Sequence, residues 1–164
     1  MTPWVRTQLQ ILPRSGASDM ASPLLPSRHS TVFSHAPVKQ KALADAVSIL
    51  RRLRANVLIV GEPDAIESAL EYISPHLAEP VAEWSPWTSP TWPDEPFRTL
   101  IVSHVDEMSL EQQQQLMSLN DRGDGELQVI STAKAPLFAV VEQNAFLERL
   151  YYQLNVLLLD LTNR

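Results

Sequence analysis

The chain has 164 residues, of which 45% are hydrophobic and 20% charged, so it can form one ordinary domain with a buried core. Its net charge of −6 argues against a broad nucleic-acid surface, and the lack of cysteine excludes disulfides and thiolate metal sites. The histidines lack metal-ligand spacing, and no apolar run is long enough to span a membrane. We therefore expect no metal, no membrane segment, and the reducing cytoplasm as the compartment.

Residues 1–35 are rich in proline, serine and arginine and show little periodicity. This composition predicts a mostly flexible arm, which is either a plain tail or a partner-binding segment. Within the arm, Trp4–Leu12 could form a short strand that ends at Pro13. Apolar residues then recur at helical spacing over Pro37–Arg54, and we place the folded domain at residues 36–164.

The stretch Ala55–Leu70 has the pattern of a buried strand, a tight turn and a helix. Asn56–Val60 is a short apolar run that predicts the strand, Gly61 ends it, and Glu62–Asp64 form the turn. This order is the geometry of a phosphate-binding loop, in which the amides at a helix start face an anion. Against the motif G-x-x-x-x-G-K-[ST], the chain reads G-E-P-D-A-I-E-S.

Two residues of that motif are replaced. Gly61 and Ser68 remain, but Ile66 stands at the second glycine and Glu67 at the lysine. Two like charges about 4 Å apart repel by roughly 4 kcal/mol at an effective dielectric of about 20, so Glu67 disfavours a phosphate. Asp64 as N-cap with Glu67 three residues later is close to a capping box, which would satisfy the helix-start amides. The turn is either a converted phosphate site or an ordinary capped helix.

A loop rich in proline and tryptophan follows. Pro80–Trp84 is a weak strand candidate, and Ser85–Pro96, which we call the proline-tryptophan loop, can form no regular element. Trp84, Trp87 and Trp92 either form an exposed interaction surface or fold back on the core.

The remaining elements alternate between strands and helices. The predicted strands are Phe97–Val105, Glu126–Thr132 and Val156–Leu161, and the predicted helices are Ser109–Leu119, Ala135–Asn144 and Phe146–Leu154, with Ser109 as a cap. This alternation predicts an α/β fold with a parallel sheet of about five strands and helices on both faces.

The segment Phe146–Leu161, FLERLYYQLNVLLLDL, resembles a signature close to F-R-x-D-L-Y-Y-R-L-N-V. That signature belongs to the ATPase domain of bacterial sigma-54-dependent activators, an AAA+ family. Upstream, RTLIVSHVDEMSLEQQQQLMSL resembles the family's Walker B strand and helix, LQVISTAKAPL its sensor I strand, and ANVLIVGEP its strand into Walker A. The similarity covers Ala36–Leu161 in the family's order and implies a three-layer P-loop NTPase-like core.

The resemblance also implies which catalytic groups are lost. Ser103 and His104 occupy the positions of the Walker B acidic pair, and Lys134 that of the sensor I asparagine. Leu147 and Gln153 replace two arginines thought to act on a neighbour's nucleotide. By this resemblance the chain is not expected to be an ATPase.

Three charged residues do not replace the lost groups. Asp106 and Glu107 align beyond the strand end, where the family's acidic residues have no catalytic role, and Arg149 aligns with a family aspartate.

Other differences concern segments that contact partners in the family. The G-A-F-T-G-A loop that touches the sigma factor is absent, and the proline-tryptophan loop stands in its place. The sequence ends where the helical lid and the DNA-binding helix-turn-helix would begin, so we expect no lid and no direct DNA contact.

We therefore expect a non-catalytic domain that regulates bacterial transcription through a protein partner, such as an intact activator subunit. The degenerate nucleotide site, expected to be empty and without a cofactor, comprises Gly61, Glu62, Asp64, Ile66, Glu67, Ser68, Ser103 and His104. A nucleotide-binding regulator without turnover and an unrelated α/β binding domain are the alternatives. Because nucleotide shared between subunits helps to hold the family's rings together, we expect a monomer or dimer.

Overall fold

The computed structural model describes residues 36–94, 96–122 and 125–162, with side chains from Lys41 onward. The arm predicted at residues 1–35, including the strand predicted at Trp4–Leu12, lies outside the described residues. None of the described helices is long and apolar enough to cross a membrane.

The described residues form helices and strands that alternate along most of the chain. The helices are α1 (Ala36–Leu53), α2 (Pro63–Ile73), α3 (Leu110–Arg122), α4 (Phe138–Glu142) and α5 (Glu148–Leu154). The strands are β1 (Val57–Val60), β2 (Val81–Trp84), β3 (Thr99–Val102), β4 (Gln128–Ala133) and β5 (Leu157–Asp160). Two 3-10 turns, Ser74–His76 and Val105–Glu107, follow α2 and β3.

The described strands form one five-stranded parallel sheet in the order β2-β3-β4-β1-β5. All residues of β1, β3 and β4 are buried, as expected for strands covered on both faces. The predicted α/β parallel sheet is confirmed. Because the strands are parallel, their carboxyl ends meet at one edge, where the turns after β1, β3 and β4 come together.

Each face of the sheet has its own hydrophobic core. Side chains alternate along a strand, so Val57 and Ile59 pack on one face and Leu58 and Val60 on the other. The first face is covered by α1 and α2, and the second by α3 and α5. The buried helical residues are Ala46, Val47, Leu50, Ala69 and Ile73 on the first face and Leu116, Leu150 and Leu154 on the second. This confirms the three-layer arrangement.

The helix after β3 begins as predicted. The Ser109 N–H donates to Gln112 Oε1 at 2.9 Å, and the Gln112 N–H donates to Ser109 Oγ at 3.2 Å. These two bonds form a reciprocal capping box, which satisfies two donors at the start of α3.

A buried glutamine on α3 connects the helix to the α4–α5 segment. Gln113 is fully buried, and its Nε2 donates to Met108 O at 3.0 Å and Ala145 O at 3.1 Å. Its Oε1 accepts the Leu147 N–H at 2.8 Å. The side chain therefore fixes the position of the turn that leads into α5.

Candidate functional site

A cleft lies at the carboxyl ends of the strands, between α2 and the ends of β2, β3 and β4. We call it the strand-end cleft; its volume is about 370 Å³. It is lined by Pro63, Ile66, Glu67, Leu70, Glu71, Glu83, Ser103, His104, Thr132, Ala133 and Lys134. The structure thus brings together Ile66, Glu67, Ser103 and His104 from the predicted site, whereas Gly61, Glu62, Asp64 and Ser68 do not line the cleft.

Gly61 is explained by packing. A Cβ at this position would lie 2.9 Å from the Cβ of Leu161, which is closer than two non-bonded carbon atoms approach in folded proteins. The Gly61 N–H donates to Ala133 O at 3.1 Å, which ties the end of β1 to the end of β4. Close approach of the chain and a backbone hydrogen bond therefore account for this glycine without a ligand.

The helix after Gly61 begins earlier than the capping-box prediction placed it. Glu62 is the N-cap and Pro63 the first helical residue, and no side chain caps the helix start. The prediction of Asp64 as N-cap with Glu67 as its partner is therefore wrong. Proline has no N–H and its φ suits the first helical position, so Pro63 sets the cap one residue before itself.

This early start uses a backbone donor that a phosphate loop would need. The Ile66 N–H donates to Glu62 O at 3.0 Å, as part of the helix. The Ser68 Oγ donates to Asp64 O at 2.8 Å, so this hydroxyl also bonds within its own helix. The amide at the second glycine position of the motif is thus already paired.

Ser103 and His104 form the turn after β3. The Ser103 N–H donates to Trp84 O at 2.9 Å, and the His104 N–H donates to Thr132 Oγ1 at 3.2 Å. His104 has a left-handed backbone with φ of 58°, a conformation that is uncommon outside glycine. Its Nδ1 is buried and has no hydrogen-bond partner among the described residues. Backbone bonds therefore hold this turn while the imidazole faces the cleft.

Lys134 lies at the mouth of the cleft and is already engaged. Its Nζ pairs with Glu107 Oε1 at 2.9 Å, and its backbone N–H donates to Asp106 Oδ2 at 3.4 Å. The hydrogen bond and charge of Glu107 raise the pKa of Lys134 above its ordinary value. Asp106 and Glu107 thus hold the residue that follows β4.

The tryptophans divide between the core and the surface. Trp84 is only 3% exposed and stacks on Trp92 with ring centroids 4.0 Å apart, so both fold back on the core. Trp84 is therefore not part of an exposed surface. Trp87 is 59% exposed and stacks on His104 at 4.2 Å, with Lys134 Nζ 5.3 Å from the centre of its ring. Only Trp87 of the three presents a largely exposed ring.

Leu147 and Gln153, which stand at the positions of the family's two arginines, do not line the strand-end cleft. Gln153 donates to Asp121 Oδ1 at 2.7 Å, and Arg149 pairs with Asp121 Oδ2 at 2.9 Å. Leu147 packs against the core beneath α5. Together these contacts attach α5 to the end of α3.

The sequence analysis missed two carboxylates of the cleft. Glu71 lies one helical turn after Glu67 on α2, so helical spacing alone could have placed the two together. Glu83 comes from β2 and has no signal in the local sequence. Within the described residues, no three histidine or carboxylate side chains are arranged to hold a metal ion.

The sheet order, the three layers and the cleft at the strand ends define a P-loop NTPase-like α/β protein. Its fold resembles that of NtrX from Brucella abortus in complex with ADP, with a TM-score of 0.63 and 15% identity over 77% of this chain and 36% of that chain. For NtrX in complex with ATP, the TM-score is 0.59 and the identity 14%, over 77% and 37% of the two chains. The present chain thus spans little more than a third of the NtrX chains that it matches.

A single-domain structure is similar over most of its own length. The P-loop NTPase domain of a sigma-54 transport activator from E. coli matches with a TM-score of 0.55 and 14% identity, over 74% of this chain and 94% of that one. Comparison with curated protein sequences found no match. The model of the sigma-54 interaction domain family matches residues 36–163. The chain therefore belongs to the sigma-54 interaction domain family, and the resemblance drawn from its sequence is confirmed.

Proposed function

We propose that this chain is a non-catalytic member of its family that regulates transcription by contacting another protein. The observation that carries the proposal is the start of α2, where the Ile66 N–H is bonded to Glu62 O and Glu67 faces the strand-end cleft. The position of a phosphate cradle thus has a paired amide in place of a free one and a negative charge in place of a positive one.

The charges of the cleft support the same conclusion. Phosphoryl transfer is catalysed almost entirely by positioning and by cations that stabilise the phosphate oxygens. Among the described residues that line the cleft, three are carboxylates, Glu67, Glu71 and Glu83, and the one lysine, Lys134, is paired with Glu107. A triphosphate would therefore be repelled here. Among the described lining residues, Ser103 and His104 follow β3, so no pair of carboxylates stands there to bind magnesium.

The partner that we propose is an intact activator subunit of the same family. The chain keeps the family's sheet and belongs to the family, and this relation is our basis for choosing a related domain as the partner. The test is to mix the purified chain with a functional sigma-54 activator and to measure association by light scattering and ATP hydrolysis by phosphate release. We expect a complex and a changed hydrolysis rate. A mixture that shows neither contradicts this choice of partner.

A nucleotide-binding regulator without turnover is the second candidate. It is favoured by the position of the cleft at the carboxyl ends of the parallel strands, where ligands of open α/β sheets bind. Calorimetric titration with magnesium and ATP at millimolar ligand distinguishes the two. We expect no heat of binding, whereas saturable binding would favour the second candidate.

A charge-reversed variant distinguishes the effect of the negative charge at Glu67 from that of the paired Ile66 amide. Glu67→Lys restores the sign of the motif but leaves the Ile66 amide bonded within α2. We therefore expect that Glu67→Lys still binds no ATP, as does the control Glu126→Lys, which makes the same charge change on an exposed turn. Binding by Glu67→Lys alone would mean that charge, and not the backbone, closes the site.

A further inference from the structure

We infer that the edge strand β5 is the surface by which two copies of this chain pair, in antiparallel orientation and with Leu158 at the two-fold axis. The inference goes beyond the proposed function and does not depend on the strand-end cleft. It names a second copy of the chain as the partner of an aliphatic sheet edge.

The outer side of β5 presents backbone groups on which a further strand can be added. Among the described strands, β5 pairs with β1 alone. The N–H groups of Leu157 and Leu161 donate to Asn56 O and Val60 O, at 3.1 Å and 2.7 Å. Because the backbone direction alternates along a strand, Leu158 directs its N–H and C=O away from β1. A strand added to this edge therefore forms its hydrogen bonds at Leu158.

The two edges of the sheet differ in how they are protected. At the opposite edge, β2 follows Pro80 and contains Glu83, and a proline or a charge at a sheet edge discourages pairing with another chain. In β5 the exposed side chains before Asp160 are aliphatic, since Val156, directly before the strand, is 62% exposed and Leu158 is 48% exposed. An exposed aliphatic edge of this kind favours pairing with another strand.

The sequence of β5 is complementary to itself in one antiparallel register. Residues that direct their backbone outward pair with each other, so Leu158 meets Leu158 of the second copy, and Val156 meets Asp160. The two leucines then lie on the same face with Cα atoms about 5.5 Å apart, and no like charges are opposed. The next register places Asp160 opposite Leu158, and the one after it opposes two aspartates. The leucine-centred register is therefore favoured.

The charges at the two ends of β1, the neighbour of β5, also match in this orientation. Three arginines are exposed at the end of α1, beside the amino end of β1: Arg51, Arg52 and Arg54. Two carboxylates are exposed just after its carboxyl end, Glu62 and Asp64. Antiparallel pairing of β5 turns the second copy so that the basic end of each copy lies toward the acidic end of the other. Charge complementarity therefore favours a second copy of the chain as the occupant of this edge.

The test uses the lack of cysteine in the sequence, which gives oxidative cross-linking without background. In the full chain, Leu158→Cys places two sulfurs on facing residues whose Cα separation suits a disulfide. The control is Leu110→Cys, at a leucine that is 51% exposed at the start of α3. On mild oxidation we expect Leu158→Cys to form a covalent dimer in non-reducing gel electrophoresis, and the control to do so about tenfold more slowly or less, because only facing cysteines have a raised effective concentration. Equal rates would overturn the inference.

Light scattering of the parent chain checks that pairing occurs without a cross-link. We expect the mass to rise with concentration from that of one chain to that of two. Leu158→Lys puts two like charges opposite each other and is expected to weaken dimerisation about tenfold or more, whereas Leu110→Lys should dimerise as the parent does. Both leucines are about half exposed, and circular dichroism verifies that both variants fold. A parent chain that stays monomeric, or equal weakening in both variants, would refute the pairing.

Hydrogen exchange at the Leu158 amide distinguishes the other occupants of this edge. Protection that appears together with the dimer supports a second copy. Protection in a monomer means that residues 1–35 of the same chain cover the edge, and fast exchange in a dimer means that the copies meet elsewhere; either result overturns the inference. The proposed function would still stand, because it rests on the start of α2 and the strand-end cleft.

Discussion

Gln113 provides a sharp test of how the fold is held together around the site. Its side chain is fully buried and forms three hydrogen bonds, to Met108 O, Ala145 O and Leu147 N. The substitution Gln113→Ala removes all three bonds and leaves two carbonyls and one N–H without their partner. The neighbouring Gln114 is exposed and its side chain forms no hydrogen bond to a described residue, so Gln114→Ala is the matched control.

The magnitude follows from these contacts. Three neutral hydrogen bonds contribute about 1 kcal/mol each, and the lost buried methylene adds about 0.8 kcal/mol, so Gln113→Ala should lower the free energy of unfolding by about 4 kcal/mol. The unfolding free energy of a typical domain is about 5–15 kcal/mol, so the loss is a large fraction of the total. The control should change it by less than about 0.5 kcal/mol.

The assay is urea unfolding followed by circular dichroism, with a thermal scan as a second measurement. For a domain of this size, a loss of about 4 kcal/mol corresponds to a fall in Tm of about 10 °C. A loss below about 1 kcal/mol for Gln113→Ala, or equal losses for both variants, would refute the reasoning that this side chain ties α3 to the segment before α5.

Two further predictions concern the edges of the strand-end cleft. Gly61→Ala places a methyl group 2.9 Å from the Leu161 Cβ, so we expect it to lower the unfolding free energy by about 1–3 kcal/mol in urea unfolding, and an unchanged midpoint would contradict the packing explanation. The raised pKa of Lys134 means that its pairing with Glu107 stabilises the fold below the ordinary lysine pKa, and that this contribution is lost as the pH rises through the folded value. Glu107→Gln should therefore lower the titration midpoint of Lys134 in a side-chain nuclear magnetic resonance titration, and an unchanged midpoint would show that this pair is not the cause.

The sequence determined much of the fold because its signals are local. Short apolar runs marked the strands, a period of about 3.6 residues marked the helices, and the alternation of the two implied a parallel sheet. Ser109 was also predicted as the cap of α3, because a serine stands directly before the helical pattern, and the structure adds the reciprocal bond from Gln112. The replacements at Ile66 and Glu67 were likewise evident from the motif, since it is contiguous in the chain.

Only the tertiary structure decided how distant residues combine. Glu83 on β2 joins Glu67 and Glu71 on α2 in one cleft because the sheet order places their elements at the same edge. The separation of buried Trp84 from exposed Trp87 depends on how a loop folds, and composition does not encode that. Local patterns fix which elements form, whereas the burial and charge of a site depend on contacts between residues far apart in the chain.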